Sequence, residues 1–265
     1  MRKTIDVNCD AGESFGNWTM GDDEAMFPHV SSANIASGFH AGDPVTLLRT
    51  VRLAQRHGLA IGAHPGLPDL LGFGRRAMAV DAEDVYAYLV YQVGAVRAAA
   101  EAVGGELRYV KLHGAFASVL QEDERAEAAV QAIKDAMPGA ATVYYTAQVE
   151  GDLWPVALKR NGVRFVGEIY PDMLYAADGN VIVERVKHVT EPADAADFVS
   201  RFLRTGCVQA KDGPAVPVEA ESICVHGDGP NALAVLAAVT AAVEAEGVAV
   251  AAPFGEPANP PAPEP

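Results

Sequence analysis

The sequence predicts an α/β fold, a distorted TIM-like (β/α) barrel of seven or eight parallel strands. Short β-branched runs alternate with longer helical stretches, and that alternation implies a largely parallel sheet. Most of the runs are apolar on both sides, as strands covered on both faces are. Seven or eight such units in 265 residues suit a closed barrel better than a doubly wound sheet.

Residues 4–7 and 33–36 are the first two strands. Asp43-Pro44 then opens a helix, with an N-cap followed by proline at the first helical position, and the helix runs to His57-Gly58. Residues 59–62 are the third strand. The next helix starts at Asp81, carries Val85, Leu89, Val93 and Val96 at helical spacing, and is closed by Gly104-Gly105. Strands at 109–112, 142–145 and 164–167 alternate with helices at 122–137 and 153–161. One segment breaks the rhythm: Asp178-Gly179 precedes an alternating run to Val183 and suggests a small hairpin inserted in a loop. A helix at 192–203, a strand at 222–225, a helix at 230–246 and a candidate eighth strand at 247–250 complete the series. Residues 1–255 are read as one barrel domain. Residues 256–265 hold five of the 17 prolines and are expected to form an extended arm outside it.

Composition narrows the function. The chain has 20 Lys and Arg against 35 Asp and Glu, a net charge of -15. Such acidity argues against duplex nucleic acid, whose binding relies on basic phosphate contacts. No apolar run approaches the ~20 residues of a membrane helix, and the start of the chain lacks the apolar core of a signal peptide. Cys9, Cys207 and Cys224 are far apart with no CxxC pair, which fits a reducing compartment and excludes a cysteine-based zinc site. A cytoplasmic location follows as the expectation.

The chemistry gathers at the C-terminal ends of the strands. Asn8, Asp10 and Glu13 follow the first; Asn34 lies on the second, with His40 and Asp43 after it. His64 ends the third. Lys111 and His113 close the fourth, Glu168 the sixth, and His226 and Asp228 follow the seventh. Four of the seven histidines fall at one topological station, and in a parallel barrel those strand ends share a mouth. Gly72-Phe73-Gly74-Arg75-Arg76 puts two guanidinium forks in a glycine-rich loop. They suit carboxylate or phosphate capture, or surface ion pairs with Asp69 or Asp81. The turn after Asp228 opens a helix that could receive an anion. Three chemistries remain open. A divalent-metal site would use Asp10, His40 and His64, with His226 as a further candidate ligand, although no HExxH spacing is present. Metal-free acid/base work would pair Asp10 or Glu13 with a histidine and Lys111. A serine triad is weakest, because no GxSxG elbow occurs.

Several long motifs resemble the LamB/YcsF family. Residues 6–16, DVNCDAGESFG, are similar to its D-L-N-x-D-x-G-E-x-F-G, and residues 34–44, NIASGFHAGDP, to its N-I-A-C-G-F-H-A-G-D-P. IGAHPG at 61–66, GFGRR at 72–76, VKLHGA at 110–115 and ICVHGD at 223–228 continue the match in order. The resemblance implies a deformed barrel of the glycoside hydrolase/deacetylase type. It also implies opening of a cyclic amide, 5-oxoproline to glutamate, with ATP cleavage. The family member in that reaction works with companion subunits B and C of the 5-oxoprolinase. On that basis Asp10, Glu13, His40, His64, Lys111 and His113 are the candidate catalytic residues. Asn8, Asn34, Asp43, Arg75, Arg76, Glu168, His226 and Asp228 are candidate substrate or anion binders. The alternatives are a metal-dependent deacetylase or amidohydrolase and a non-catalytic binding subunit. The sequence departs from the family pattern at Ser37 (usually Cys), Leu112 (Pro), residues 116–118 (L-Y-N) and Met173 (Arg), which puts the identity of the lactam in question.

Overall fold

The computed structural model describes residues 2–147, 152–182 and 189–255. Its elements begin with β1 (Thr4–Ala11), α1 (Asp23–Met26), β2 (Ser32–Ala36), α2 (Pro44–Arg56), β3 (Ala60–His64) and α3 (Ala82–Ala102). They continue with β4 (Leu107–Lys111), α4 (Asp123–Ala136), β5 (Thr142–Thr146), α5 (Leu153–Arg160) and β6 (Arg164–Ile169). Then come β7 (Leu174–Tyr175), β8 (Val181–Ile182), α6 (Pro192–Thr205), β9 (Cys207–Gln209), β10 (Ala215–Pro217), β11 (Ser222–Val225), α7 (Ala232–Ala245) and β12 (Ala249–Val250).

Seven parallel strands close the barrel in the order β1-β2-β3-β4-β5-β6-β11, and β11 pairs back onto β1 through Asp6↔Ser222 to Cys9↔Val225. The candidate eighth strand does not enter the ring. β12 is two residues long and pairs only with Thr4 and Ile5 at the start of β1. The expected hairpin is present as β7 and β8, with Leu174 opposite Ile182 and Tyr175 opposite Val181. Val183 and the proline-rich residues 256–265 lie outside the described residues. A second hairpin, β9 with β10, has no counterpart in the sequence reading, since strands of three residues are too short to display alternation.

The helices form where the sequence signals them. Asp43 caps α2 by accepting from Val45 N and Thr46 N, and Asp81 caps α3 by accepting from Asp84 N. Val85, Leu89, Val93 and Val96 are fully buried, so the 3.6-residue stripe of α3 is the face turned to the barrel. Outward residues of β1, namely Ile5, Val7, Cys9 and Ala11, join the same apolar layer.

The inside of the barrel is different. Strand side chains alternate between faces, so Asp6, Asn8 and Asp10 share the inner face of β1. Asp6 accepts from Ser31, Ser32 and Ser222, and Asn8 donates to Glu168 and Ser222. Asn34 donates to both Asn8 and Asp10, and accepts from the Tyr109 hydroxyl. A barrel interior is ordinarily packed with layers of branched apolar residues. Here it is a hydrogen-bonded polar column. At its lower end Tyr109 and Tyr144 stack with centroids 4.0 Å apart, and Phe254 lies 5.9 Å from Tyr109. Gly62 on β3 makes room for that stack: a Cβ there would stand 2.3 Å from the Tyr109 ring.

Candidate active site

β1 extends to Ala11, four residues beyond its expected end, so Asn8 and Asp10 lie inside the strand rather than after it. Asp10 is therefore held rigidly at the top of the column, opposite Lys111 at the end of β4. The Lys111 ammonium donates to Asp10 Oδ1 at 3.1 Å and to Cys224 Sγ at 2.9 Å, and lies 3.2 Å from Glu168 Oε2. All four side chains are buried. Burial opposes the charge on Asp10, but Lys111 first and His64 second outweigh it and hold its carboxyl well below the usual range. Burial likewise opposes the charge on Lys111, and Asp10 foremost outweighs it and holds the ammonium well above its ordinary pKa. Burial pushes the Cys224 thiol well up, against the pull of Lys111. Lys111 is thus the centre of an internal ion triad, with both nearby carboxylates already claiming it.

Three histidines gather beside Asp10. The His64 and His40 rings meet edge to face, as do His64 and His113, while His40 and His113 stack with centroids 3.7 Å apart. His64 Nε2 lies 3.5 Å from Asp10 Oδ2 and 3.0 Å from His113 Nδ1. Glu13 Oε1 is 3.5 Å from His40 Nε2 and 3.9 Å from His113 Nδ1. Burial pushes both His40 and His113 well below the ordinary imidazole range, and the neighbouring imidazoles add to the shift. At Gly66 and Gly74 the chain passes so close to His40 that a Cβ would meet its side chain at 2.4 and 2.7 Å. Two groups among the described residues bring possible metal ligands within 4.8 Å of one another: Glu13, His40, His64 and His113, and Asp10, Cys224 and His226. Of the residues expected to share a metal, His40 and His64 meet in the first group and Asp10 falls in the second.

A cavity of about 140 Å³ opens above the triad. That is below the ~300–1,000 Å³ of drug-sized sites. Asp10, His64, Lys111, Tyr170, Asp172 and His226 supply its polar wall. His226 Nδ1 lies 2.9 Å from Asp172 Oδ2, and its backbone N–H donates to the same oxygen. An ionised carboxylate only accepts, so Nδ1 carries a proton, and Nε2 faces Asp10 Oδ2 at 3.9 Å. Leu112, Ala117, Met173, Val181 and Ile182 form an apolar wall, so three of the four departures from the family pattern reach the cavity itself. Ser37 and Phe116 are buried, and neither lines it.

The other expected residues are placed differently. Arg75 stands at the rim and pairs with Asp228 at 2.9 Å. Arg76 turns outward into a bidentate pair with Asp69, two-thirds of its side chain in solvent. Asp43 is engaged as the α2 cap, and also accepts from Gly16 N. Asn8, Asn34 and Glu168 belong to the column below the cavity. Helix α7 begins at Ala232, beyond the turn that follows Asp228. Sequence reasoning misses Asp172, Cys224 and Tyr170 as site residues. Cys224 stands two residues before His226, a spacing that puts both on one side of an extended strand. Asp172 lies four residues past Glu168 in a loop, and no periodicity marks it.

Residues 5–258 match the LamB/YcsF family model. The A subunit of 5-oxoprolinase from Geobacillus thermodenitrificans is 44% identical, over 94% of this chain and 97% of its own length. The protein of the same name from Deinococcus radiodurans is 41% identical, over 94% of this chain and 96% of its length. The crystal structure of the lactam utilization protein from Thermus thermophilus superposes with a TM-score of 0.85 at 42% identity, covering 94% of this chain and 99% of that one. An uncharacterized protein from Agrobacterium tumefaciens shares the fold at TM-score 0.55 and 15% identity, over 94% of this chain and 87% of its own.

Proposed function

The chain belongs to the LamB/YcsF family, and on that premise we propose that it is the A component of an ATP-dependent 5-oxoprolinase. It opens the lactam of 5-oxoproline to glutamate together with companion subunits B and C. The observation that carries this reading is the whole-length similarity to chains that bear the 5-oxoprolinase name. A small cavity at the barrel mouth, lined by an acid, a base and a cation, supports it.

A five-membered lactam is unstrained and resists hydrolysis, and ATP cleavage in the assembled complex supplies the driving force. This chain's residues do the rest. His226, oriented by Asp172, takes a proton from water at Nε2. Asp10 holds that water, and His226 then returns the proton it took to the leaving ring nitrogen. Lys111 fixes Asp10 in its ionised form. Arg75 at the rim receives the substrate carboxylate by exchanging it with Asp228. Arg76, held by Asp69 outside the cavity, takes no part.

The test is 5-oxoproline-dependent ATP cleavage with subunits B and C present. We expect Asp10→Ala to lose about 100-fold or more in rate, and His226→Ala to lose on the order of 10²–10⁴-fold. Equal rates for wild type and Asp10→Ala would remove Asp10 from the reaction. No 5-oxoproline-dependent turnover by the wild-type complex would overturn the reading. One observation favours a metal-assisted amidohydrolase instead, the Glu13–His40–His64–His113 cluster. Chelator-sensitive amide hydrolysis without ATP would establish that alternative. A wild-type rate from every mouth variant would leave the chain a binding component.

A further inference from the structure

We propose that Glu13, His64 and His113, with His40 as an adjacent fourth donor, form a site for one divalent transition-metal ion. The reason is the direction of the lone pairs. His64 Nδ1 is 2.8 Å from the carbonyl oxygen of Lys111, and His113 Nε2 is 2.8 Å from that of Phe73. A carbonyl only accepts, so each of these nitrogens carries the ring proton. In the neutral rings the other two nitrogens, His64 Nε2 and His113 Nδ1, are then bare, and they face each other at 3.0 Å. Two lone pairs that close repel unless a cation joins them. Metal-ligating histidines characteristically donate their second ring N–H to a backbone carbonyl or carboxylate, as both do here.

Other observations converge on the same point. Neither ring nitrogen of His40 has a hydrogen-bond partner, although the side chain is 1% exposed. The Glu13 carboxylate supplies the negative charge that a divalent ion needs in so buried a place. The Phe73 carbonyl reaches His113 because Phe73 adopts the left-handed backbone region, with φ of 54°, the one non-glycine residue to do so among those described. That conformation is strained for a residue with a side chain, and here it fixes the tautomer of a ligand. Imidazole and carboxylate donors suit zinc, cobalt or iron(II) better than magnesium or calcium. A single proton shared between His64 and His113 is the competing cation. A metal would also engage Glu13 and His40, which a proton between His64 and His113 does not reach.

The experiment uses the intact chain alone, without lactam or nucleotide, so its outcome is independent of the 5-oxoprolinase test. The chain is stripped with chelator, then titrated with zinc chloride and with cobalt(II) chloride, and read by calorimetry, bound-metal content and the visible ligand-field spectrum of cobalt. We expect one ion per chain and a cobalt spectrum of a low-symmetry nitrogen/oxygen site. His64→Gln and Glu13→Gln should each bind at least about 100-fold more weakly. His226→Ala, which alters only the second cluster, should bind as wild type. The wild-type cobalt spectrum keeps the test decisive if a variant fails to fold. Absence of stoichiometric binding, or binding unaffected by His64→Gln but lost in His226→Ala, overturns the proposal. So does a shared His64–His113 proton that persists in nitrogen NMR at saturating zinc.

Discussion

Removing the Lys111 ammonium should expose how strongly the column depends on it. In Lys111→Met the two carboxylates now 3.1 and 3.2 Å from Nζ keep their burial and lose their cation. Breaking a buried ion group by deleting one partner costs about 3–5 kcal/mol. At about 2–4 °C per kcal/mol for a chain of this size, Tm should fall by roughly 6–20 °C. The loss should depend on pH. In the wild type the folded-state pKa of Asp10 is depressed. Its stabilisation is therefore full above the unfolded value of ~3.9 and is lost as pH falls through the folded pKa. In the variant burial acts unopposed by Lys111, so the Asp10 carboxylate costs stability as pH rises. The deficit should be greatest near neutrality and shrink as pH drops below about 4. Urea midpoints at several pH values, at constant m, measure it. The triple variant Lys111→Met with Asp10→Asn and Glu168→Gln should regain most of the loss. A deficit below about 1 kcal/mol, or one equal at acid and neutral pH, would refute the ion-triad account.

Gly66→Ala should displace His40, since the new methyl would stand 2.4 Å from its Nδ1; we expect at least a tenfold loss of turnover with the cooperative unfolding transition retained. Asp43→Ala should cost about 1 kcal/mol through loss of the α2 cap, read by urea denaturation, with turnover close to wild type. Arg75→Ala should raise KM for the substrate severalfold, whereas Arg76→Ala should leave KM and kcat unchanged. A KM effect at Arg76 equal to that at Arg75 would contradict its outward placement.

Much of the fold is legible in the sequence because two periodicities carry it. The stripe of Val85, Leu89, Val93 and Val96 names the buried face of α3, and Asp43-Pro44 names the start of α2. Polar residues at strand ends name most of the mouth. What fails to show is pairing. Asp43 and Asp228 look like site carboxylates in sequence, yet one caps a helix and the other holds Arg75. Arg75 and Arg76 are neighbours in one loop, and only the backbone turn sends them in opposite directions. The extent of β1 is underestimated because inward Asn8 and Asp10 read as loop residues. A polar interior inverts the usual rule that strand cores are apolar. Asp172 is invisible as a partner because it meets His226 from 54 residues away.

The aromatic stack at the foot of the column has a consequence for traffic. Tyr109 and Tyr144 are fully buried, and Phe254 covers them from below, with Arg108 and Arg164 over its ring. The shaft is blind. Entry to and exit from the cavity both lie at the mouth, where Arg75 stands. A partner seated across the mouth would govern both with one contact.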